Sequence, residues 1–151
     1  MINLYRLQRE LTEDEGCELS LYLDHLGYPT FGVGHLVKED APELGQPIGT
    51  PVSQERVDEC FKADIESVLD DCVKLYPTFE AMSEEVKLII ANMMFNLGYP
   101  RLSKFKKMKA AVDRGDWEEA ANQMEQSRWF RQVPNRASRL VDRMRLEAVP
   151  F

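Results

Sequence analysis

The chain has 151 residues, with 19 Lys+Arg against 26 Asp+Glu and a formal net charge of −7. A hydrophobic share of 44% beside 30% charged residues excludes a disordered chain, and the length fits one domain, or two closely joined lobes, with a real core. No apolar run approaches the roughly 18 residues of a membrane span. Met1 to Arg6 lacks a cationic start followed by an apolar stretch, so no secretory signal is expected. The acidic excess argues against a nucleic-acid partner, because neutralising phosphates takes Lys and Arg in excess. The charge is uneven, however. Residues 1–100 carry 7 basic and 19 acidic side chains, while residues 101–151 carry 12 basic and 7 acidic.

In chain order, Leu4, Leu7 and Leu11 fall at helical spacing and predict a short amphipathic helix over 4–14, stopped at Glu15-Gly16. Leu19, Leu21 and Leu23 then alternate with Ser20 and Tyr22. His25-Leu26-Gly27-Tyr28-Pro29 breaks the run, and Thr30 to His35 follows as a second extended piece. This predicts a small antiparallel hairpin or three-stranded sheet. Residues 38–52 hold three prolines and two glycines and read as an irregular connection.

From Ser53, a plausible N-cap, the period switches to 3.6. Val57, Cys60, Phe61, Val68, Leu69 and Cys72 share one face of a helix about twenty residues long, ended by Tyr76-Pro77. A second strong helix starts at Ser83, carries Glu84 and Glu85 in its first turn, and stops at Gly98. Three shorter helices are expected after it. The first holds Phe105, Met108 and Val112. The second opens on an Asp116–Glu119 capping box, and the third carries Ala137, Leu140, Val141 and Met144 behind Pro134. The expected architecture is α+β: a small N-terminal antiparallel sheet lobe (about 12–52), a connecting helix (53–75), and a helical C-terminal lobe (76–151 with 1–11). Such an arrangement leaves a cleft between lobes, a common place for a ligand.

Three cysteines, Cys17, Cys60 and Cys72, are an odd number. Cys60 and Cys72 are twelve residues apart in one helix, about 18 Å along its axis, and a disulfide needs Cα atoms within about 7 Å. Reduced thiols are expected. With no CxxC and two histidines there is no metal-site spacing, and neither metal nor cofactor is expected.

Glu15 stands where the first helix meets the sheet, and Asp24 stands nine residues on in the first hairpin. Two carboxylates facing one cleft are what glycoside hydrolysis requires, one protonated for the leaving oxygen and one ionised to activate water. Alone this is a weak signal, since the first 25 residues hold six acidic side chains. Gly32-Val33-Gly34-His35 is sharper, because alternate glycines permit close approach of another group. Asp64 falls on the apolar face of the long helix and must find a partner; His35 is the candidate, forming a structural, pH-sensitive pair. Trp129 reads as core, and Arg136, at the entry of the last helix, as a group that could reach a carboxylate across the cleft.

Together these segments resemble the phage-type lysozymes, glycoside hydrolase family 24, nearly end to end. The resemblance is carried by Glu15-Gly16, Leu21-Tyr22-Leu23-Asp24, and Gly27 through Leu36. It resumes in Asn92 through Gly98, Trp117 through Ala121, Ser127 through Phe130, and Pro134 through Ala137. It implies a two-lobed, lysozyme-like muramidase that cleaves the β-1,4 bond between N-acetylmuramic acid and N-acetylglucosamine in peptidoglycan. By the same resemblance Glu15 is the general acid, and Asp24 with Thr30 positions and activates the attacking water. The outcome would be inverting, at a carboxyl separation of about 6.5–9.5 Å. His35 with Asp64 matches the family's buried ion pair, Arg136 a residue that pairs with the catalytic glutamate, and Leu36, Phe95 and Asn96 match cleft-lining positions.

A lytic transglycosylase would keep the glutamate but needs no positioned water, and a non-catalytic wall-binding protein would need none of the three polar residues. The implied partners are peptidoglycan glycan strands and, functionally, a separate membrane pore protein (holin). A monomer with no stable membrane association is expected, waiting in the host cytoplasm after synthesis.

Overall fold

A computed structural model describes residues 1–150. The elements are helix α1 (Leu4–Glu15), strands β1 (Glu18–Leu23), β2 (Pro29–Gly32) and β3 (His35–Leu36), and a helix α2 of 22 residues (Gln54–Leu75). Then come α3 (Glu84–Leu97), α4 (Tyr99–Leu102), α5 (Lys106–Asp113), α6 (Trp117–Glu125), α7 (Arg128–Gln132) and α8 (Pro134–Glu147). This is an α+β fold, with a small antiparallel sheet near the N-terminus and a helical C-terminal part. The chain divides into two compact units, Gln8–Ser67 and a second made of Met1–Leu7 with the chain from Val68 onward. The divisions fall inside α1 and α2 rather than at their ends.

In the Gln8–Ser67 unit the sheet order is β1-β2-β3, all antiparallel, with Tyr22 opposite Thr30 and Phe31 opposite His35. One face packs Leu21, Phe31, Val52, Val57 and Cys60 into a core flanked by Val37. Strict alternation in β1 would also bury Leu19 and Leu23, but both stay about half exposed (47% and 52%). The register shifts between Glu18 and Tyr22, so only Leu21 reaches the core. The connection over 38–52 is more ordered than its prolines suggest. Gly49 N–H donates to Leu21 O, and the Leu21 and Val52 N–H groups pair with Thr50 O and Leu19 O, so β1 is satisfied along both edges. Ser53 then caps α2, its hydroxyl accepting the Arg56 N–H at 3.1 Å.

The second unit is organised on α3. Val86, Leu88, Ile89, Ile90, Ala91, Met93 and Met94 are all at most 1% exposed, and a helix apolar nearly all round belongs in the middle of a layer of others. Helix α8, which buries Ala137, Leu140, Val141 and Met144, packs on it, and α6 packs on α8 in turn. Ser83 caps α3 by accepting from Val86 N–H, and Gly98 closes it at φ 79°. Five helices follow Gly98 instead of three. Helices α4 and α7, of 4 and 5 residues, are too short to show a period; each is started by local chemistry, Pro100 in the first turn of one and the Ser127 cap of the other. The Asp116–Glu119 capping box is half formed. Asp116 accepts the Glu119 N–H at 3.1 Å, but the Glu119 carboxylate turns to Asn122 instead of reaching back. Burial alone would push the Glu85 carboxyl up, yet Arg143 and Arg6 together outweigh it and hold Glu85 below the usual carboxylate range.

Candidate active site

Glu15 is the last residue of α1. Gly16, at φ 74°, donates to Thr12 O at 2.9 Å and turns the chain into β1, which fixes where the helix ends and the carboxylate begins. Asp24 opens the tight turn between β1 and β2. Its Oδ1 accepts from both the Leu26 and the Tyr28 N–H, each at 2.9 Å. Its own N–H pairs with Tyr28 O, and Gly27, at φ 84°, completes the turn. Both side-chain hydrogen bonds therefore load one oxygen, and Oδ2 keeps its lone pairs.

Thr30 is placed by β2 and is 2% exposed. Its hydroxyl donates to Tyr28 O at 2.9 Å. With that proton committed, Thr30 Oγ1 can only accept from a third group. Asp24 and Thr30 thus share Tyr28 as a backbone anchor, one through its N–H and the other through its carbonyl.

The sequence singled out no role for Tyr22, yet the structure puts it beside these groups. Its phenol is pushed above the ordinary value, first by burial and then by the negative fields of Glu15, Glu18, Asp24 and Cys17. The signal was in the alternation of β1: with Leu21 in the core, Tyr22 lies on the opposite face. Leu36, on β3, is 52% exposed.

His35 and Asp64 are joined at 2.7 Å, Nδ1 to Oδ2, as the helix position of Asp64 predicted; the side chains are 8% and 24% exposed. The His35 ring packs on Phe31 at 5.0 Å, and the Arg56 guanidinium lies over the other ring at 6.0 Å. Arg56 in turn holds Glu43 with two donors, Nε at 3.0 Å and Nη2 at 3.1 Å. That fork holds the Glu43 carboxyl below its usual range against the opposing effect of burial. A carboxylate with a lowered folded-state pKa stabilises above its unfolded-state value and loses that contribution as pH falls through the folded one. Glu43→Gln is accordingly expected to cost about 1 kcal/mol at neutral pH. The gap in melting temperature between parent and variant should close as pH is lowered from 7 to 3. A gap constant across that range would show that the Glu43 charge contributes nothing.

The remaining sequence candidates lie in the second unit. Arg136 is buried at 8% exposure and donates from Nε to Asn92 Oδ1 at 2.8 Å and from Nη2 to Asn92 O at 3.4 Å. Asn92, itself 1% exposed, was not singled out, because an asparagine inside an apolar helix run carries no mark of its partner. Trp129 is core, as expected, but its indole N–H also donates to Asn96 Oδ1 at 2.7 Å. Asn96 is therefore held by its carbonyl oxygen, with its amide donors left over for other groups. Phe95 is half-buried next to it on α3. The structure thus brings Glu15, Asp24, Thr30, Leu36, His35 and Asp64 into one unit and Phe95, Asn96 and Arg136 into the other.

The three thiols are free, Cys17 exposed and Cys60 and Cys72 buried, and burial pushes each thiol up, away from reactive thiolate. Among the described residues no group of three or more His, Cys, Asp or Glu could hold a metal ion, and no helix is long and apolar enough to cross a membrane.

The chain matches the phage lysozyme family over residues 12–147. It is 30% identical to the probable T4-type lysozyme 1 of Dictyostelium discoideum, an alignment covering 87% of this chain and 88% of that protein. It is 31% identical to the pre-baseplate central spike protein Gp5 of Enterobacteria phage T4, over 87% of this chain but 26% of that one, so it spans about a quarter of that relative's length. It is 26% identical to the peptidoglycan hydrolase gp36 of Pseudomonas phage phiKMV, over 94% of this chain and 15% of the phage protein.

Proposed function

The chain belongs to the phage lysozyme family, and from that premise we propose that it is a muramidase hydrolysing the β-1,4 bond between N-acetylmuramic acid and N-acetylglucosamine in bacterial peptidoglycan. The observation that carries this reading is the way hydrogen bonds are shared out at Asp24 and Thr30. Two backbone N–H groups occupy Asp24 Oδ1, and the Thr30 proton is spent on Tyr28 O. What is left is a carboxylate oxygen and a hydroxyl lone pair, the two acceptors that would hold and deprotonate one water.

Glu15, protonated, gives its proton to the leaving glycosidic oxygen as the bond to the anomeric carbon breaks. The water attacks that carbon from the opposite face, Asp24 Oδ2 taking one proton while Thr30 Oγ1 accepts the other in a hydrogen bond. Atoms and charge balance: one water is added, Glu15 leaves the step ionised and Asp24 protonated, and solvent resets both. The product is inverted, since no covalent sugar–enzyme bond intervenes. A transglycosylase would have no use for these two acceptors. The same reading includes a setting in host lysis, with the enzyme made in the host cytoplasm, reaching the wall through a separately encoded pore and acting as a monomer.

Digestion of purified peptidoglycan in ¹⁸O-water tests the chemistry. Muropeptides with a reducing N-acetylmuramic acid end that has gained one ¹⁸O are expected. Products one water lighter, the 1,6-anhydro form, would assign a transglycosylase, and glycan strands bound but not shortened would assign a wall-binding protein.

A further inference from the structure

Gly32 and Gly34 flank the turn between β2 and β3, both in the left-handed region at φ 62° and φ 59°. Their backbones are alike, so any L side chain is about equally strained at either. What a Cβ would meet is entirely different. At Gly32 it would lie 3.0 Å from Val57 Cγ1 and 3.3 Å from Val57 Cγ2, methyls of a buried core residue. At Gly34 it would lie 2.7 Å from Glu15 Oε1 and 3.3 Å from Glu15 Cδ. No real Cβ sits that close to a heavy atom, so the carboxyl group of Glu15 occupies the notch left by the missing side chain.

The two clashes also resolve differently. Val57 is stiff at χ1 and hemmed in by Leu21, Phe31, Val52 and Cys60, so a methyl at Gly32 presses on the core and costs stability. Glu15 Oε1 is the far end of a flexible side chain, and Glu15 Cβ, at 3.6 Å, is already at ordinary contact distance. A methyl at Gly34 is therefore accommodated by swinging the carboxyl group away, with little demand on the backbone.

We infer that Gly34 is a positioning residue for the proton donor: the absence of its Cβ sets where the Glu15 carboxyl group stands. Gly34 acts through Glu15 and touches neither the substrate nor the water. The inference rests on the proposed role of Glu15 as acid, and it explains why the Gly-x-Gly turn lies against the end of α1 rather than serving only to reverse the chain.

The test exchanges size across the contact, using the full chain on purified peptidoglycan. Gly34→Ala is expected to lower kcat by about 100-fold, the scale of a displacement of about 1 Å in a catalytic group, with KM nearly unchanged. Glu15→Asp shortens the acid by one methylene and by itself also lowers kcat. Combined, the added methyl and the shortened side chain fit together. The double variant should therefore be at least as active as Glu15→Asp alone, at least tenfold above the product of the two single losses.

Gly32→Ala, with the same backbone strain, is the control: it should lower the melting temperature more than Gly34→Ala does and show no such coupling with Glu15→Asp. Should Gly34→Ala not fold, Gly34→Asn carries the same Cβ on a residue that enters the left-handed region more readily, and the same coupling is read there. Losses that simply multiply, or a Gly34→Ala enzyme with parental kcat, would overturn the inference. Parental turnover by Glu15→Gln would instead overturn the role of Glu15, a failure that this set tells apart from the first.

Discussion

Glu15→Gln is expected to lower peptidoglycan hydrolysis by about 10²–10⁴-fold, the range supplied by a positioned general acid, and to leave the melting temperature close to the parent's. The first effect follows from isosteric replacement: the amide keeps volume and hydrogen-bonding capacity but has no proton to give at any ordinary pH. The second follows from the same match of volume: at the end of α1 the amide fills the notch at Gly34 as the carboxyl group does. Turbidity loss of cell walls with thermal unfolding in low salt reads both effects. A variant that is inactive because it is unfolded would contradict the placement, as would one that is folded and fully active.

The place of Glu15 at a helix end is visible in the sequence, because helix ends leave local marks. Gly16 and Gly98 stop helices, and Ser53, Ser83 and Asp116 start them. Each is a short-range hydrogen-bonding event within four residues, which composition and spacing record faithfully. His35 and Asp64 were legible for another reason. A carboxylate three residues after Phe61 and four before Val68 lies on the inward stripe of α2, and burial there demands a partner. What was not legible depends on contacts distant in sequence. Asn92 meets Arg136 across 44 residues. Arg56 grips Glu43 only because residues 49–52 return along β1 and set the path of the chain into α2. No local pattern encodes such a meeting. The close approach of Gly34 to Glu15 lies between the two cases, since the alternate glycines announce that something comes near without saying what.

Asp64→Ala is expected to destabilise the protein by about 2–4 kcal/mol, below the top of the range for broken buried pairs because Asp64 is 24% exposed. The loss comes mainly from what stays behind. His35 is 8% exposed at its side chain, with one ring face against Phe31. Without the carboxylate, the Nδ1–H has no acceptor and little water to turn to, so its desolvation is uncompensated. Asp64→Asn provides the internal control. Its amide oxygen can still accept from Nδ1 at the same place, so the variant forfeits charge but keeps the hydrogen bond, and about half the loss is expected. Urea unfolding of the two variants, of His35→Ala and of the His35→Ala/Asp64→Ala double variant completes a cycle. A coupling energy of about 1.5–3 kcal/mol is the expected outcome for a charge-assisted bond in this setting. A coupling near zero, with Asp64→Ala costing under about 0.5 kcal/mol, would mean that water at the exposed side of Asp64 screens the pair as it does at any surface. The fixing of the sheet on α2 would then rest on the core of Leu21, Phe31, Val52, Val57 and Cys60.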